Sequence, residues 1–163
     1  MRRIRVDEWQ ELRELRLRAL LDAPDAYGST FEEESQEPES TWRDWAAAGA
    51  EGGAGYTAIA VGLDGWVGLG VGAPHLAFPG ELGLFAMWVD HNVRREGIGR
   101  GIVEEIAASA TSARFPSIRL LVTESNEAAI RLYASCGFVD TGGRSPLREG
   151  SAVFAISMIK QLA

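Results

Sequence analysis

The segment 93–101 combines glycines and arginines at a spacing that could bind an anion. It reads Val-Arg-Arg-Glu-Gly-Ile-Gly-Arg-Gly. Glycines let backbone N–H groups approach a ligand closely, and the N-terminus of the helix predicted to follow adds the positive end of its dipole. Arg94, Arg95 and Arg100 add full positive charges. The segment therefore predicts a loop that binds phosphate groups.

Two other phosphate-binding motifs do not fit this segment. A P-loop requires Gly-x-x-x-x-Gly-Lys-Ser/Thr, and no lysine stands here to reach a terminal phosphate. A dinucleotide fingerprint requires a third glycine after Gly97 and Gly99, at the position where this chain has Ile102. A purely structural turn would explain one glycine more easily than three glycines together with three arginines.

Asn126 and Tyr133 form a second candidate group, further along the chain. They are seven residues apart, which is two turns of a helix, so both side chains can face the same ligand. A tyrosine has an ordinary pKa of about 10, so it is protonated at neutral pH and can donate a proton to a leaving group. A tyrosine on a core-facing stripe is the alternative. For Cys136, a small buried residue is the expected interpretation rather than a nucleophile.

The pattern of apolar residues predicts the elements that would position these groups. Helical periodicity predicts a helix that begins at Asp7 and ends before Pro24, and an alternating pattern predicts a hairpin around Asp64-Gly65. The strand predicted at 82–89 is apolar on both faces, as expected for the middle of a sheet. The predicted strands are 4–6, 56–63, 66–73, 82–89, 118–123, 138–141 and 151–160, and the predicted helices are 7–23, 41–48, 98–114 and 126–136.

Composition limits the class of protein. The 163 residues fit one domain, 1–163, and 46% hydrophobic with 24% charged residues is typical of a soluble globular protein. The N-terminus lacks the apolar region of a signal peptide, and no run is apolar enough to span a membrane, so we expect a cytoplasmic location. One cysteine and two isolated histidines predict neither a disulfide nor a metal site. A net charge of −7 disfavours nucleic-acid binding.

The negative charge is concentrated in one segment. Residues 25–51 hold eight acidic residues and one arginine, a net charge of −7, and the remaining chain is balanced. A solvated acidic surface is the simpler interpretation. An electrostatic funnel for a cationic ligand is the functional one.

The two candidate groups together resemble the GNAT superfamily of acyl-CoA-dependent N-acetyltransferases. The pyrophosphate loop of that family reads Gln/Arg-x-x-Gly-x-Gly/Ala, which residues 94–99 satisfy. Its second signature is an asparagine, an alanine, a tyrosine seven residues after the asparagine and then Gly-Phe, which residues 126–138 satisfy. The resemblance implies a single α/β (α+β) domain. It would have a mixed, mostly antiparallel sheet of about seven strands, four helices and a splayed pair of parallel strands that binds CoA.

The resemblance also implies roles for individual residues. The central strand would present a backbone N–H near Val89 to the thioester oxygen, Asn126 would contact the pantetheine arm, and Tyr133 would protonate the departing thiolate. Acetyl-CoA is the implied co-substrate, with no metal. The residues implied to bind it are Met87, Trp88, Val89, Arg94, Arg95, Glu96, Gly97, Ile98, Gly99, Arg100, Asn126, Ala129 and Tyr133.

The group that would remove a proton from the acceptor amine is not fixed by the pattern. Glu81 stands at the head of the strand predicted at 82–89, where some relatives carry a catalytic glutamate, and it could act through a water molecule. Other relatives carry one at the position of Leu121. His91 and Glu124 are further candidates. A structural role for Glu81 as a charged residue at a strand end is equally consistent with the sequence.

The resemblance implies transfer of an acetyl group from acetyl-CoA to a primary amine, by direct attack in a ternary complex. The acidic segment lies where relatives bind the acceptor. Phe31, Glu32 and Glu34 therefore predict a cationic acceptor, a small molecule or a peptide, held by charge and cation–π contact. A homodimer is possible. The alternative is an acyl-CoA-binding regulatory module that has lost catalysis, which would explain the missing base.

Overall fold

A computed structural model describes all residues, 1–163, as one mixed sheet with helices on both faces. The five helices are α1 (Trp9–Asp22), α2 (Phe31–Ser35), α3 (Glu39–Ala50), α4 (Ile98–Ser112) and α5 (Glu127–Ser135). The seven strands are β1 (Arg2–Arg3), β2 (Tyr56–Gly62), β3 (Gly65–Pro74), β4 (Leu82–Val89), β5 (Ser117–Thr123), β6 (Val139–Pro146) and β7 (Phe154–Gln161). Single 3-10 turns cover Pro24–Ala26 and His91–Val93.

The order of strands in the sheet is β1-β2-β3-β4-β5-β7-β6, which places β4 in the middle. Only β4 and β5 are parallel, and every other neighbouring pair is antiparallel. The predicted mixed, mostly antiparallel sheet with one parallel pair is therefore confirmed. The central position of the strand at 82–89, which follows from its two apolar faces, is also confirmed.

The parallel pair β4–β5 separates soon after it begins. Its registered partners are Leu82 with Ile118 and Gly83 with Arg119, and none follows along the two strands. Further along β4, the register with β3 shifts opposite Ala86, which has a positive φ of 52°. An extra residue of this kind is a β-bulge, which bends a strand and increases its twist. The bulge and the separation together open a cleft between β4 and β5.

The sheet has a separate core on each face. On one face, Ile102 and Ile106 of α4 pack with Ala58, and on the other face, Leu12 of α1 and Trp42 of α3 pack with Ile59. Adjacent residues of β2 thus belong to opposite cores, as the alternation of a strand requires. We call these the α4–α5 face and the α1–α3 face.

Three glycines of β3 let α4 approach the sheet closely. A Cβ built on Gly70 would lie 2.4 Å from Ile102 Cγ2, and one on Gly72 would lie 2.9 Å from Ile106 Cγ2. Any side chain at these positions would therefore push α4 away from the sheet.

Several predicted boundaries differ from the structure. The fold has five helices rather than four, because α2 lies inside the acidic segment, where no apolar periodicity indicates it. The first strand pairs at Arg2–Arg3 instead of 4–6 and is followed by Ile4, which donates its N–H to the carbonyl of Thr57. Strand β6 extends to Pro146, well past 141, and is exposed along its whole length. No helix of the structure combines the length and apolar character needed to cross a bilayer.

Candidate functional site

A cleft of about 940 Å³ opens at the place where β4 and β5 separate. It is lined from the α4–α5 face by the loop before α4 and by α5, and from the α1–α3 face by α1, α3 and the segment that follows α1. The cleft therefore connects the two faces of the sheet. No aspartate or glutamate lines it, and four of its lining residues are arginines: Arg16, Arg94, Arg95 and Arg100.

The glycine loop ends at a helix N-terminus with free backbone donors. Gly97 precedes α4 with φ 85°, a conformation that favours glycine, and a Cβ added there would meet nothing within 4 Å. The first intrahelical bond of α4 runs from the N–H of Gly101 to the carbonyl of Gly97. The N–H groups of Ile98, Gly99 and Arg100 therefore lack helical partners and can bind an anion.

The arginines of this loop differ in their surroundings. Arg94 donates to the carbonyl of Val89 at 2.9 Å and to the carboxylate of Asp22 at 2.8 Å, whereas Arg100 donates to Ser135 Oγ at 2.9 Å. Arg95 is exposed and lines the cleft. Glu96, which the resemblance included among the cofactor contacts, is exposed and does not line the cleft. The positive charge beside the glycines thus comes from Arg94, Arg95 and Arg100.

The end of β4 presents a backbone donor to the cleft. The N–H of Asp90 donates to the carbonyl of Val67 at 2.8 Å, toward β3. Since successive peptide groups of a strand point in opposite directions, the N–H of Val89 points away from β3 and toward the cleft. The indole N–H of Trp88 donates to Asp22 at 2.9 Å. The carboxylate of Asp22 therefore accepts hydrogen bonds from both Trp88 and Arg94.

Tyr133 and Asn126 lie together on the wall formed by α5. Tyr133 is buried and packs edge-on against Phe138, and its hydroxyl makes no hydrogen bond within the chain. Burial raises the pKa of Tyr133 well above its usual range, so the hydroxyl stays protonated. Asn126 caps α5 by accepting the N–H of Ala129 at 3.2 Å, which leaves its side-chain NH₂ free to donate. Met87 and Ala129 complete this part of the lining.

Glu81 lies outside the lining of the cleft. Its two carboxylate oxygens accept hydrogen bonds from Arg119, at 2.5 and 3.0 Å. The hydrogen bond from Arg119 lowers the pKa of Glu81 below its usual range, which weakens it as a base. The geometry therefore favours the structural interpretation of Glu81 over the catalytic one. Glu124 is paired in the same way with Arg144, at 2.6 Å, and His91 is exposed.

The three residues predicted to contact the acceptor do not line the cleft. Glu34 is engaged with Arg16, which donates to both of its oxygens at 2.9 and 2.6 Å. Glu32 is exposed in the first turn of α2, and Phe31 packs against the core of the α1–α3 face. The structure therefore does not support direct contact between these side chains and an acceptor in the cleft.

Three titratable residues that the sequence did not assign to the site also line the cleft: Arg16, Tyr27 and His75. Burial lowers the pKa of His75, so its ring is neutral at neutral pH, and its Nδ1 already accepts the N–H of Ala77 at 3.2 Å. The Tyr27 hydroxyl donates to the carbonyl of Met87. These three residues reach the cleft from separate elements, so no short-range spacing could have connected them.

A known family matches most of the chain in sequence. The sequence model of the acetyltransferase (GNAT) family matches residues 9–138. No curated protein matches the chain in sequence.

Solved structures share the fold. An acetyltransferase of the GNAT family from Streptococcus pneumoniae has a TM-score of 0.83 at 18% identity, with 99% of this chain and 98% of that chain covered. An acetyltransferase from Salmonella typhimurium, solved with its cofactor acetyl-CoA, has a TM-score of 0.78 at 19% identity, with 99% and 92% covered. Nourseothricin acetyltransferase has a TM-score of 0.61 at 25% identity, with 68% of this chain and 66% of that chain covered.

Proposed function

The chain belongs to the acetyltransferase (GNAT) family, and we propose that it transfers an acetyl group from acetyl-CoA to a primary amine of a small molecule or peptide. The transfer would occur by direct attack while both substrates are bound. One observation carries this proposal. A single cleft combines free N–H groups at a helix N-terminus, a free strand N–H at Val89 and a protonated hydroxyl at Tyr133.

The glycine loop fits the pyrophosphate of the co-substrate. Gly97 leaves open space at the start of α4. A Cβ added to Gly99 would lie only 3.0 Å from Cδ2 of Leu132. The free N–H groups of 98–100 and the neighbouring arginines would hold the negative charge. Acetyl-CoA, when bound, supplies the acetyl thioester and a thiolate leaving group.

Two groups of the chain would act on the reacting atoms. The N–H of Val89 would donate to the thioester oxygen, where negative charge develops during attack. Tyr133 would give its proton to the departing sulfur, because its raised pKa keeps the hydroxyl protonated until then and no group of the chain uses that hydroxyl. The proton that the amine nitrogen loses on forming the amide would restore the hydroxyl. Asn126 would orient the pantetheine arm through its free NH₂.

The acceptor amine would lose its proton without help from a carboxylate of the cleft. No aspartate or glutamate lines the cleft, and the Nδ1 lone pair of His75 is occupied. We therefore expect the amine to react from its neutral form. In that case kcat/KM rises with pH up to the pKa of the amine itself. The rising part of the pH profile then shifts when an amine of different pKa is used.

Long-range attraction supports a cationic amine as the acceptor, although direct contact with Glu34 is not available. Glu32 and Glu33 stay exposed in a segment of net charge −7. Attraction between exposed charges is screened by salt. We expect kcat/KM for a diamine to fall with ionic strength, and to fall less steeply after Glu32→Gln.

A panel of amines tests the function. Release of free CoA from acetyl-CoA is measured by thiol reaction for each amine, and mass spectrometry identifies the acetylated product. The proposal expects release that depends on the amine, with a matching mass increase on the acceptor. Tight binding of acetyl-CoA with no amine-dependent release would instead favour a regulatory module, for which the absence of a cleft carboxylate is the supporting observation.

A further inference from the structure

Arg16 of α1 is buried, with 5% of its surface exposed, and it lines the cleft. Its Nε and Nη2 donate to the two oxygens of Glu34, and Nη2 also donates to Ser29 Oγ at 3.0 Å. The third nitrogen, Nη1, is buried and makes no hydrogen bond. The guanidinium is thus held firmly on one side and has two unused N–H groups on the other.

The surroundings of the guanidinium place it on the side of the cleft formed by the α1–α3 face. Its Cζ lies 4.5 Å from the ring centre of Tyr27 and 5.8 Å from that of Trp45. The Tyr27 hydroxyl in turn reaches the carbonyl of Met87 in β4. Arg16 is therefore separated from the reactive strand by one tyrosine side chain, on the α1–α3 face and opposite the glycine loop.

A buried N–H group without a hydrogen-bond partner is unusual in a folded protein. Most buried polar groups in folded proteins find a partner, because an unpaired donor loses the hydrogen bonds it made to water. Glu34 and Ser29 already use their oxygens on Nε and Nη2, so no group of the chain fills Nη1. Nη1 has almost no exposed surface in the free protein, so an oxygen of a ligand in the cleft would reach it after a small movement of the side chains around it.

The charge of the cleft favours a carboxylate oxygen. All four charged residues that line the cleft are arginines, and the acidic side chains that pair with two of them, Glu34 with Arg16 and Asp22 with Arg94, do not line it. Arginine binds carboxylates in a planar, charge-assisted geometry. Apolar side chains of Phe85, Leu121 and Leu147 line the same cleft and would contact the remainder of such a ligand.

We propose that Nη1 of Arg16 binds a carboxylate of the acceptor, so that the preferred acceptor is an amino acid or a peptide carrying both an amine and a carboxylate. This inference rests on the proposed acetyl transfer and specifies the acceptor. It is compatible with a cationic side chain elsewhere in the acceptor, which the acidic segment would attract from a distance.

Matched acceptors test this on the unmodified protein. The first series is lysine, lysinamide and cadaverine, and the second is leucine, leucinamide and isopentylamine. Within each series the carboxylate is kept, neutralised or removed. We expect kcat/KM for the carboxylate to exceed that for the other two by about ten- to a hundredfold, the range of a hydrogen bond to a charged group. Equal or lower values for the carboxylates would overturn the inference.

The variant Arg16→Lys removes the unused N–H groups and retains a positive charge beside Glu34. We expect it to lose the preference for carboxylates mainly through a raised KM for the amino acids, with the Kd for acetyl-CoA nearly unchanged. Arg13→Lys is the matched control, because Arg13 lies on the same helix, donates to the carbonyl of Ser35 and does not line the cleft. If Arg16→Lys fails to fold, the acceptor series alone decides.

Two further comparisons complete the test: one distinguishes a peptide from a free amino acid as the acceptor, and the other distinguishes failure of this inference from failure of the proposed function. Leucylalanine, whose carboxylate lies one residue further from its amine than in leucine, distinguishes a peptide from a free amino acid. Acetylation of amines with no preference for a carboxylate overturns this inference and leaves the proposed function intact. No acetylation of any amine overturns both.

Discussion

The hydroxyl of Tyr27 donates a hydrogen bond to the carbonyl oxygen of Met87, 3.1 Å away. Met87 follows the bulge at Ala86, so Tyr27 fixes a carbonyl next to the irregular part of β4. Burial raises the pKa of Tyr27 well above its usual range, and the hydroxyl remains a donor at all ordinary pH values. A residue that follows α1 thereby fixes the backbone of β4 where this strand lines the cleft.

Replacing Tyr27 with phenylalanine removes this hydrogen bond and leaves the ring. We expect the free energy of unfolding to fall by about 1 kcal/mol and kcat to fall, because the backbone around Met87 is no longer held. The Kd for CoA, measured by calorimetry, should stay the same, since the glycine loop is untouched. Tyr56→Phe is the control, because its hydroxyl bonds Glu105 away from the cleft. An unchanged kcat in Tyr27→Phe would show that the bond serves packing alone.

Gly99→Glu should abolish binding of CoA. A Cβ there would already lie 3.0 Å from Leu132 Cδ2, and a carboxylate at the start of α4 would repel the pyrophosphate. Calorimetric titration with CoA measures the loss, and circular dichroism confirms the fold. Ala108→Glu adds the same charge to an exposed position of the same helix and should bind normally. Normal affinity in Gly99→Glu would refute the assignment of this loop.

Tyr133→Phe should lower kcat by about ten- to ten-thousandfold, the range of lost acid catalysis. The Kd for CoA should change little, because the phenyl ring preserves the contact with Phe138. Single-turnover kinetics under conditions where chemistry is slow give the relevant rate, and Tyr56→Phe again serves as the control. Full activity of the phenylalanine variant would mean that Tyr133 only packs.

The pair of Glu81 and Arg119 predicts a pH dependence of stability rather than of catalysis. Arg119 lowers the pKa of Glu81 in the folded protein. The ion pair therefore contributes fully to the free energy of unfolding at pH values above the unfolded-state pKa of about 4.3. This contribution is lost as the pH falls through the lower folded-state pKa. Glu81→Gln should lower the free energy of unfolding by about 1–2 kcal/mol at neutral pH. The difference from wild type should vanish in acid.

Urea unfolding at a series of pH values measures this difference, and Glu127→Gln, which breaks an exposed pair with Arg131, should show much less. The pH profile of kcat/KM should keep its shape in Glu81→Gln. Loss of a rise in kcat/KM at low pH would identify Glu81 as the general base instead.

The sequence was most informative where one short segment determines the structure. The apolar residues on both faces of β4 predicted its bounds and its central position, and the glycines before α4 predicted its start at Ile98. The short helix α2 was missed because five residues show no periodicity. Its capping box, in which Thr30 and Glu33 bond each other's backbone, was the available signal.

The relationships that decide the candidate site were not readable from spacing. Arg119 reaches Glu81 because the β4–β5 register aligns it with Gly83, and Arg16 reaches Glu34 because α2 packs against α1. Each pair joins residues of different elements, so the sequence could not show that Glu81 and Glu34 are already occupied. A charged side chain in a sequence shows its chemistry but not its partner.

The early separation of β4 from β5 also sets how the backbone exchanges hydrogen with solvent. The amide of Val89 faces the cleft without a strand partner, whereas Leu120 lies in the paired region between β5 and β7. Amides that lack a partner exchange with deuterium through small local openings, and paired ones need larger openings. The Val89 amide should therefore exchange quickly in the free protein and slow markedly when acetyl-CoA binds along β4. Exchange at this one amide would then report cofactor occupancy without a substitution or an attached probe.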